Sequence, residues 1–351
     1  MAQTQNQTFN FVGTMTALEP LTVTQPGVRG LPRNGRGKDA NAYWPATTIR
    51  GSLRHCAHRV ALSKTRKPDG SSPFNLDAHF LLAQGVDISA GKSQTAAVAE
   101  DTQAVDSHLR LDVLDNPLLS LFGFWGKESK LAVGSAYPDG QAIGYFGGGA
   151  RSVMFERETS LIEELTLEDQ ERLETLLAEQ TAAADEMRPI DEEIRGLKSS
   201  LKAAESDAQR KQVREQIAEL EARKEAIKDA KKESRESIRR PIDQYEGIVP
   251  GTEMEHRMTL KSACRLELGF FLAVLAEFAR DSRMGGHIHH GCGLVKASYE
   301  VRVWPEGELL PKVIGSVGVS PDGFSVEGAE LQAALKEWAE SAPTFSCKVA
   351  A

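Results

Sequence analysis

The sequence lacks the features that mark several large protein classes. Its four cysteines are far apart and form no CxxC pair, which argues against a zinc ribbon and against a disulfide framework. No apolar run reaches the ~20 residues that cross a bilayer, and the polar start of the chain shows no signal-peptide pattern. We therefore expect a reduced, cytoplasmic protein that does not insert into a membrane.

Motifs of common nucleotide-binding and hydrolytic enzymes are also missing. No GxxxxGK[ST] P-loop occurs, and no nucleophile elbow accompanies the histidines. His287, His289 and His290 are spaced closely enough to share a metal ion, but no acidic residue lies between Asp281 and Glu300 to complete the ligand shell. A metal site is therefore less favoured than ordinary loop histidines or contact with nucleic acid. We expect no metal and no other cofactor.

Aromatic residues make up only 6% of the 351 residues, and one long segment is too charged to belong to a core. Positions 156–240 hold 23 acidic and 17 basic residues, a net charge of −6 out of the −8 of the whole chain. Thr166 with Asp169 predicts a helix N-cap, and Pro189 predicts a helix restart. Two apolar stripes predict an antiparallel helical hairpin: Ile190, Ile194, Leu197 and Leu201, then Val213, Ile217, Leu220 and Ile227.

Outside this insertion the chain is nearly neutral, yet it contains a strongly basic segment. Positions 27–67 hold ten Lys and Arg and a single acid, Asp39. Such a cluster is typical either of a solvated basic surface or of a groove for a polyanion. The glycines of GLPRNGRGK favour the groove, because they let the backbone approach a ligand while the arginines supply forked donors to phosphate. The basic residues are Arg29, Arg33, Arg36, Lys38, Arg50, Arg54, Arg59, Lys64, Arg66 and Lys67.

The segment WPATTIRGSLR, at 44–54, joins an extended stretch to a helix. Thr47 or Thr48 can cap that helix, whose first amides then face an anion. Arg50 and Arg54 lie four apart, on one helical face. The segment therefore predicts a phosphate-binding site built from backbone amides and cations.

Composition divides the chain into five stretches. The first and last predict the two halves of a globular core, because apolar residues recur there with strand or helix periods. The divisions are 1–63, the first half of the core; 64–117, an irregular excursion with a mobile tip; 118–155, an apolar return with a Gly-rich segment and Arg151; 156–240, the charged hairpin; and 241–351, the second half of the core.

Strands and helices alternate within the core stretches. Strands are predicted over 9–24, 131–137, 253–260 and 294–304, with another short strand near the C-terminus. Helices are predicted over 47–63, 265–280 and 330–340. The Gly-rich segment GGHIHHGCG precedes the strand over 294–304 and predicts a second loop that approaches a ligand closely.

These segments resemble the RAMP superfamily of CRISPR-associated proteins, in particular the backbone subunit that polymerises along guide RNA in multisubunit effector complexes. WPATTIRGSLR is similar to the family's strand-to-helix motif, and PLLSLFG to its mid-chain Leu-Phe-Gly element. VPGTEMEHRMTL is similar to its third core strand, and GGHIHHGCG to the Gly-rich loop before its final strand. The four segments also occur in the family's order.

The chain departs from the family pattern in three places. Ala46 stands where the family has Gly, Trp44 stands where it has an aliphatic residue, and histidines occupy a loop in which many relatives carry Lys, Ser or Arg. Together with the charged insertion, these departures most resemble the type IV, plasmid-associated branch. Backbone subunits of that branch are expected to bind guide RNA without cutting.

The resemblance implies an α+β fold with an RRM-like, ferredoxin-like core: a four-stranded antiparallel sheet with two helices, elaborated by thumb and finger insertions. It implies as partners a guide RNA (crRNA), target nucleic acid that pairs with the guide, further copies of the chain in a filament, and other effector subunits. In relatives that cleave target RNA, the catalytic Asp lies in the loop before the strand-to-helix motif. Asp39 lies in that loop but close to Pro45, and no second acid stands nearby, so that role is not carried over.

The leading hypothesis is a non-catalytic guide-RNA-binding subunit. Two alternatives stay open: an RNA endonuclease that acts through Asp39 or the histidines, and a scaffold that docks partners through the helical hairpin. The predicted RNA-binding residues are Arg29, Arg33, Arg36, Lys38, Thr47, Thr48, Arg50, Ser52, Arg54, Arg151, Arg283, Gly285, Gly286, His287, His289 and His290.

Overall fold

The computed structural model describes residues 6–23, 30–34, 41–88, 114–124, 127–148, 160–203, 206–230, 244–305 and 308–347. The chain divides into two compact units. Unit 1 comprises Met1–Phe146 together with Tyr245–Ala351, and unit 2 is Gly147–Gln244.

Unit 1 is built on a seven-stranded antiparallel sheet. In chain order the strands are β1 (Gln7–Ala17), β2 (Arg33–Asn34), β3 (Asn41–Ala42), β4 (Leu131–Val133), β5 (Tyr137–Pro138), β6 (Ile143–Gly147), β7 (Gln244–Ile248), β8 (Glu253–Ala263), β9 (Val295–Val303), β10 (Lys312–Ser320) and β11 (Gly323–Glu327). The sheet order is β11-β10-β9-β1-β8-β4, and β5 also pairs with β8. Strands β2 and β3 form a separate pair, as do β6 and β7.

The helices are also numbered in chain order. They are α1 (Ala46–Thr65), α2 (Leu76–Gln84), α3 (Pro117–Phe122), α4 (Ser160–Glu163), α5 (Leu167–Ala203), α6 (Asp207–Asp229), α7 (Arg265–Ala279) and α8 (Ala329–Glu340), and a short 3₁₀ helix spans Ile288–His290. No helix in the described part of the chain is both long and apolar enough to span a bilayer.

The core of unit 1 lies between one face of the sheet and its helices. Alternation along β1 buries Phe9, Phe11, Met15 and Ala17, and β9 alternates in the same way along its whole length. Phe11 packs edge-on against Phe271 of α7, with ring centroids 5.2 Å apart. Helices α1 and α8 both pack against α7, which is therefore buried over most of its surface.

The predicted order of strands and helices in the core is confirmed, as is an α+β fold with an antiparallel sheet. The sheet is larger than the four strands that the resemblance implies, because the hairpin β10–β11 extends one edge. The excursion is more regular than predicted: Asn75 caps α2 by accepting from the amide of Ala78, and Gly85 ends the helix in a left-handed conformation. The small-residue stretch at 89–103, where the mobile tip is predicted, lies outside the described residues.

Unit 2 contains the predicted helical hairpin. Ile190 and Ile194 of α5 pack with Ile217 of α6 in a small core of their own. The cap at Thr166 is confirmed, since its hydroxyl accepts from the amide of Asp169 at 3.2 Å. The restart predicted at Pro189 is wrong, because α5 continues through it. An interior proline costs about 3 kcal/mol, and the adjacent Ile190 packs in the small core between the two helices.

Candidate nucleic-acid interface

The strand-to-helix segment begins at a short bridge between Trp44 and Ala136. Each residue donates its amide to the other's carbonyl, at 2.8 and 2.9 Å. Helix α1 starts at Ala46, whose amide donates to Ser135 Oγ at 3.1 Å. The predicted caps Thr47 and Thr48 are wrong, because both lie inside the first turn and the N-cap position is Pro45. Ser135, distant in sequence, accepts the first helical amide instead.

A cavity of about 320 Å³ opens beside the first two turns of α1. It lies between α1 and the C-terminal end of α2. Thr47 and His55 are exposed, whereas Arg50 is half-buried. The lining includes two arginines and no acidic side chain, which suits an anion at a helix N-terminus. The lining residues are Ala46, Thr47, Arg50, Gly51, Arg54, His55, Ala83 and Gln84.

Arg54 has a structural role that corrects its interpretation as an exposed phosphate ligand. Its side chain is buried, and it donates to four carbonyl oxygens at the ends of two helices: Leu81 and Leu82 of α2, and Phe122 and Gly123 at the end of α3. Burial, and then the charge of neighbouring Arg50, lower the pKa of Arg54 to about 10. Because its donors are used in this way, the Arg54 guanidinium links α1 to the ends of α2 and α3 at the cavity wall.

The other predicted polar residues of α1 differ in how far their side chains are already hydrogen-bonded within the protein. Arg50 donates to the carbonyl of Phe122, and burial lowers its pKa. Ser52 donates to the carbonyl of Thr48 at 3.1 Å, one turn back along the helix. Both arginines of α1 line the cavity, but Arg54 is buried and bonded to four carbonyls, so the half-buried Arg50, beside the exposed Thr47, is the better candidate to contact an anion.

The Gly-rich loop lies against the strand-to-helix segment. Trp44 is fully buried, and its indole Nε1 donates to Met284 Sδ at 3.1 Å. A Cβ at Gly285 would lie 2.6 Å from the Trp44 ring and 2.5 Å from the carbonyl of Thr22. The next amide, that of Gly286, donates to the same Thr22 carbonyl at 2.7 Å. The structure thus brings together two of the segments that the sequence singles out.

His287 is held in one orientation within this loop. It adopts a left-handed backbone with φ of 56°, its Nδ1 lies 3.1 Å from Thr22 Oγ1, and its ring stacks on Tyr245 at 4.0 Å. Burial, and then the charge of His290, lower its pKa, so the neutral imidazole is favoured. His289 and His290 are exposed at the loop surface.

Two predicted arginines are already paired with carboxylates. Arg33 bonds to both oxygens of Glu246 at 2.8 Å, and Arg283 bonds to Glu19 at 2.7 Å and to Asp281 at 3.1 Å. These hydrogen bonds raise the pKa of Arg283. To contact phosphate, either guanidinium must share or give up its hydrogen bonds to carboxylate. Both arginines are therefore weaker candidates for phosphate binding than the sequence implies.

Several predicted residues lie outside the described residues. They are Arg29, Arg36, Lys38, Asp39 and Arg151. Within the described ranges, no group of three His, Cys, Asp or Glu side chains is placed to hold a metal ion.

A larger cavity, of about 570 Å³, lies elsewhere, on the face of the sheet that the helices leave open. Its lining is rich in hydroxyls, such as those of Thr14 and Ser298. Lys296 is its one cation, and Glu253 and Asp322 are acidic. Because the lining carries a net negative charge, size alone does not make this cavity the better phosphate site.

Sequence reasoning missed four residues of the interface. His55 and Gln84 line the cavity beside α1, and Thr22 and Tyr245 position His287. His55 lies four positions after Gly51 and eight after Thr47, on one helical face, so a helical projection could have found it. Thr22 and Tyr245 carry no local signal, because tertiary structure alone places them at the loop.

Comparison of the chain with protein-family models and with curated proteins finds no match. The functional assignment therefore rests on the motifs and on the geometry described above.

Proposed function

We propose that the chain is a non-catalytic guide-RNA-binding subunit that oligomerises along the RNA in a cytoplasmic CRISPR effector ribonucleoprotein. It holds the guide by its phosphates and presents the bases for pairing with target nucleic acid. Phosphate contacts supply affinity without sequence preference, and base pairing supplies the specificity. Other effector subunits and further copies of the chain complete the complex.

The order of elements supports an RRM-like, ferredoxin-like core. Along the chain, β1, α1, β4, β8, α7 and β9 follow the βαββαβ pattern. In the sheet they stand in the order β9-β1-β8-β4, all antiparallel, so the two strands of each half are separated by a strand of the other half. The helical hairpin and the excursion that contains α2 are insertions into this core.

The observation that carries the proposal is the contact between the strand-to-helix segment and the Gly-rich loop. Trp44 and Met284 are 240 positions apart in sequence, yet they share a hydrogen bond. One segment leads into the α1 cavity with Arg50, and the other holds Gly286 and the exposed histidines. Two neighbouring polar surfaces suit an extended polyanion better than a single mononucleotide, because an extended strand makes contacts at several successive phosphates.

The test uses the basic loop before the motif. We expect the triple variant Arg29→Ala, Arg36→Ala, Lys38→Ala to bind single-stranded RNA of unrelated sequences more weakly. The slope of log affinity against log salt should fall by about 2, because each lost phosphate contact removes ~0.7.

The matched control removes the same number of exposed cations from α6: Lys211→Ala, Arg214→Ala, Arg223→Ala. Both variants change the net charge equally, so only a local effect separates them. The proposal is contradicted if the wild-type chain binds no RNA, or if both triple variants bind with the wild-type salt slope.

A further inference from the structure

The hydrogen bonds around Thr22 determine which nitrogen of His287 carries the proton. Thr22 Oγ1 lies 2.9 Å from the carbonyl of Gly286 and 3.1 Å from His287 Nδ1. A carbonyl only accepts, so both contacts can be hydrogen bonds only when the single hydroxyl proton of Thr22 points to Gly286. The second contact is then a hydrogen bond only if His287 Nδ1–H donates to Thr22 Oγ1. In a neutral ring this leaves Nε2 unprotonated, as an acceptor.

The ring is also fixed in position. It stacks on Tyr245 with an interplanar angle of 11° and a centroid distance of 4.0 Å. Tyr245 is itself held by a contact of its hydroxyl with Cys292 Sγ at 3.4 Å. His287 remains half-exposed, and no described residue forms a hydrogen bond with its Nε2. The loop therefore presents a pre-oriented acceptor that lacks a donor within the described part of the chain.

The donor that complements this acceptor can be identified by elimination among the parts of a nucleic acid. Phosphate diester oxygens only accept hydrogen bonds. Base edges carry donors whose positions change with sequence, which a sequence-independent groove cannot use. The ribose 2′-hydroxyl is a donor present at every nucleotide of RNA and at none of DNA.

We infer that His287 Nε2 accepts a hydrogen bond from a ribose 2′-hydroxyl and so makes the interface prefer RNA to DNA. The inference rests on the proposed RNA-binding function and adds the sugar as the recognised group. Thr22 and Tyr245 act as positioning residues, because they set the tautomer and the plane of the ring.

The experiment compares three oligomers of one sequence: RNA, DNA and 2′-fluoro RNA, which keeps an RNA-like sugar pucker but has no 2′-donor. We expect the wild-type chain to bind RNA about five- to tenfold more tightly than either analogue, the range of one net hydrogen bond. His287→Phe keeps an aromatic ring to stack on Tyr245 but has no nitrogen. It should bind RNA about as weakly as wild type binds 2′-fluoro RNA, with its DNA affinity unchanged.

His79→Phe on α2 is the control, since it removes a half-buried imidazole outside the loop and should keep the preference for RNA. Equal binding of RNA and 2′-fluoro RNA by the wild-type chain overturns the inference and leaves the proposed function intact. An unchanged preference in His287→Phe overturns it too. If the wild-type chain binds none of the three oligomers, the proposed function itself fails.

A second measurement avoids dependence on the folding of a variant. In wild-type chain labelled with ¹⁵N-histidine, the Nε2 resonance of His287 should be that of an unprotonated nitrogen. It should move on titration with RNA and not with 2′-fluoro RNA. A protonated Nε2 in the free chain overturns the inference.

Discussion

The indole of Trp44 donates a hydrogen bond to the thioether of Met284 and covers Gly285 at close range. Trp44 opens the segment that leads into α1, and Met284 opens the Gly-rich loop. Their contact is the point at which the two halves of the interface meet. The contribution of this contact to stability can be measured without any ligand.

Gly285→Ala should destabilise unit 1 strongly. The new Cβ would lie 2.5 Å from the carbonyl of Thr22, and φ at Gly285 is +94°. Overpacking and left-handed strain together should lower the free energy of unfolding by roughly 3 kcal/mol, measured by urea denaturation.

Gly291→Ala is the matched control, because Gly291 also has a positive φ, of +73°, but has no neighbouring atom within 4 Å of an added Cβ. Gly291→Ala should lower the free energy of unfolding only by the left-handed backbone strain, about 1 kcal/mol. Equal losses in the two variants would show that the Trp44 contact does not limit the space at Gly285.

Arg54→Ala should reduce the free energy of unfolding by more than it reduces the free energy of RNA binding. The substitution leaves carbonyls at the ends of α2 and α3 without their donor, at a cost of roughly 3 kcal/mol or more in the free energy of unfolding. Arg59→Ala, on the same helix, should cost under about 1 kcal/mol, because its ion pair with Glu277 is half-exposed. Thermal and urea unfolding of both variants measure the difference, and an equally mild effect of Arg54→Ala would contradict its buried role.

The stability of unit 1 should fall in mild acid through His256. This side chain is buried between Tyr299 Oη, 2.8 Å from Nδ1, and the Gly134 carbonyl, 3.0 Å from Nε2. Burial lowers the pKa of His256 from 6.5 to about 4. The unfolded chain therefore takes up the proton first, and the contribution is complete above pH 6.5 and is lost as the pH falls to about 4. The free energy of unfolding should fall by about 3 kcal/mol over this pH range.

His256→Gln removes the titration while its amide can still donate to Gly134 and accept from Tyr299. Urea unfolding between pH 7 and pH 4 should give a flatter profile for the variant than for the wild-type chain. Parallel profiles would mean that His256 does not carry this pH dependence.

Deletion of residues 160–238 should leave unit 1 folded and able to bind RNA. The hairpin has a core around Ile190, Ile194 and Ile217 that is distinct from the core of unit 1. The melting temperature and the RNA affinity of the deletion variant are the measurements. Intact RNA binding with loss of effector assembly would support the scaffold alternative, in which the hairpin docks a partner. Unfolding of unit 1 would contradict the separation of the two cores.

The endonuclease alternative predicts target cleavage that depends on Asp39. Under the proposed function, an assembled complex incubated with complementary RNA and Mg²⁺ should leave the target intact in both the wild type and Asp39→Ala. Regular cleavage by the wild type that disappears in Asp39→Ala would contradict the non-catalytic assignment.

Elements with strong periodicity were predictable from the sequence. The apolar positions of α1 and α7 repeat with a helical period, and buried and more exposed positions alternate strictly along β9. Each of these elements is therefore predictable from its local sequence pattern. The hairpin stripes around Ile190 and Ile217 were predictable for the same reason. Helix caps supplied from a distance, such as Ser135 at Ala46, were not, because no nearby residue signals them.

The amino-acid sequence by itself determined which segments carry the polar and basic residues of the interface, because composition and spacing are local properties. It also determined the α+β order of the core. Only the tertiary structure decided the role of each side chain. Two arginines one turn apart on α1 look equivalent in sequence, yet packing of α2 and α3 buries Arg54 among carbonyls and leaves Arg50 at the cavity. Likewise, the tautomer inferred for His287 depends on Thr22, 265 positions away, since hydrogen-bond direction depends on neighbours in space.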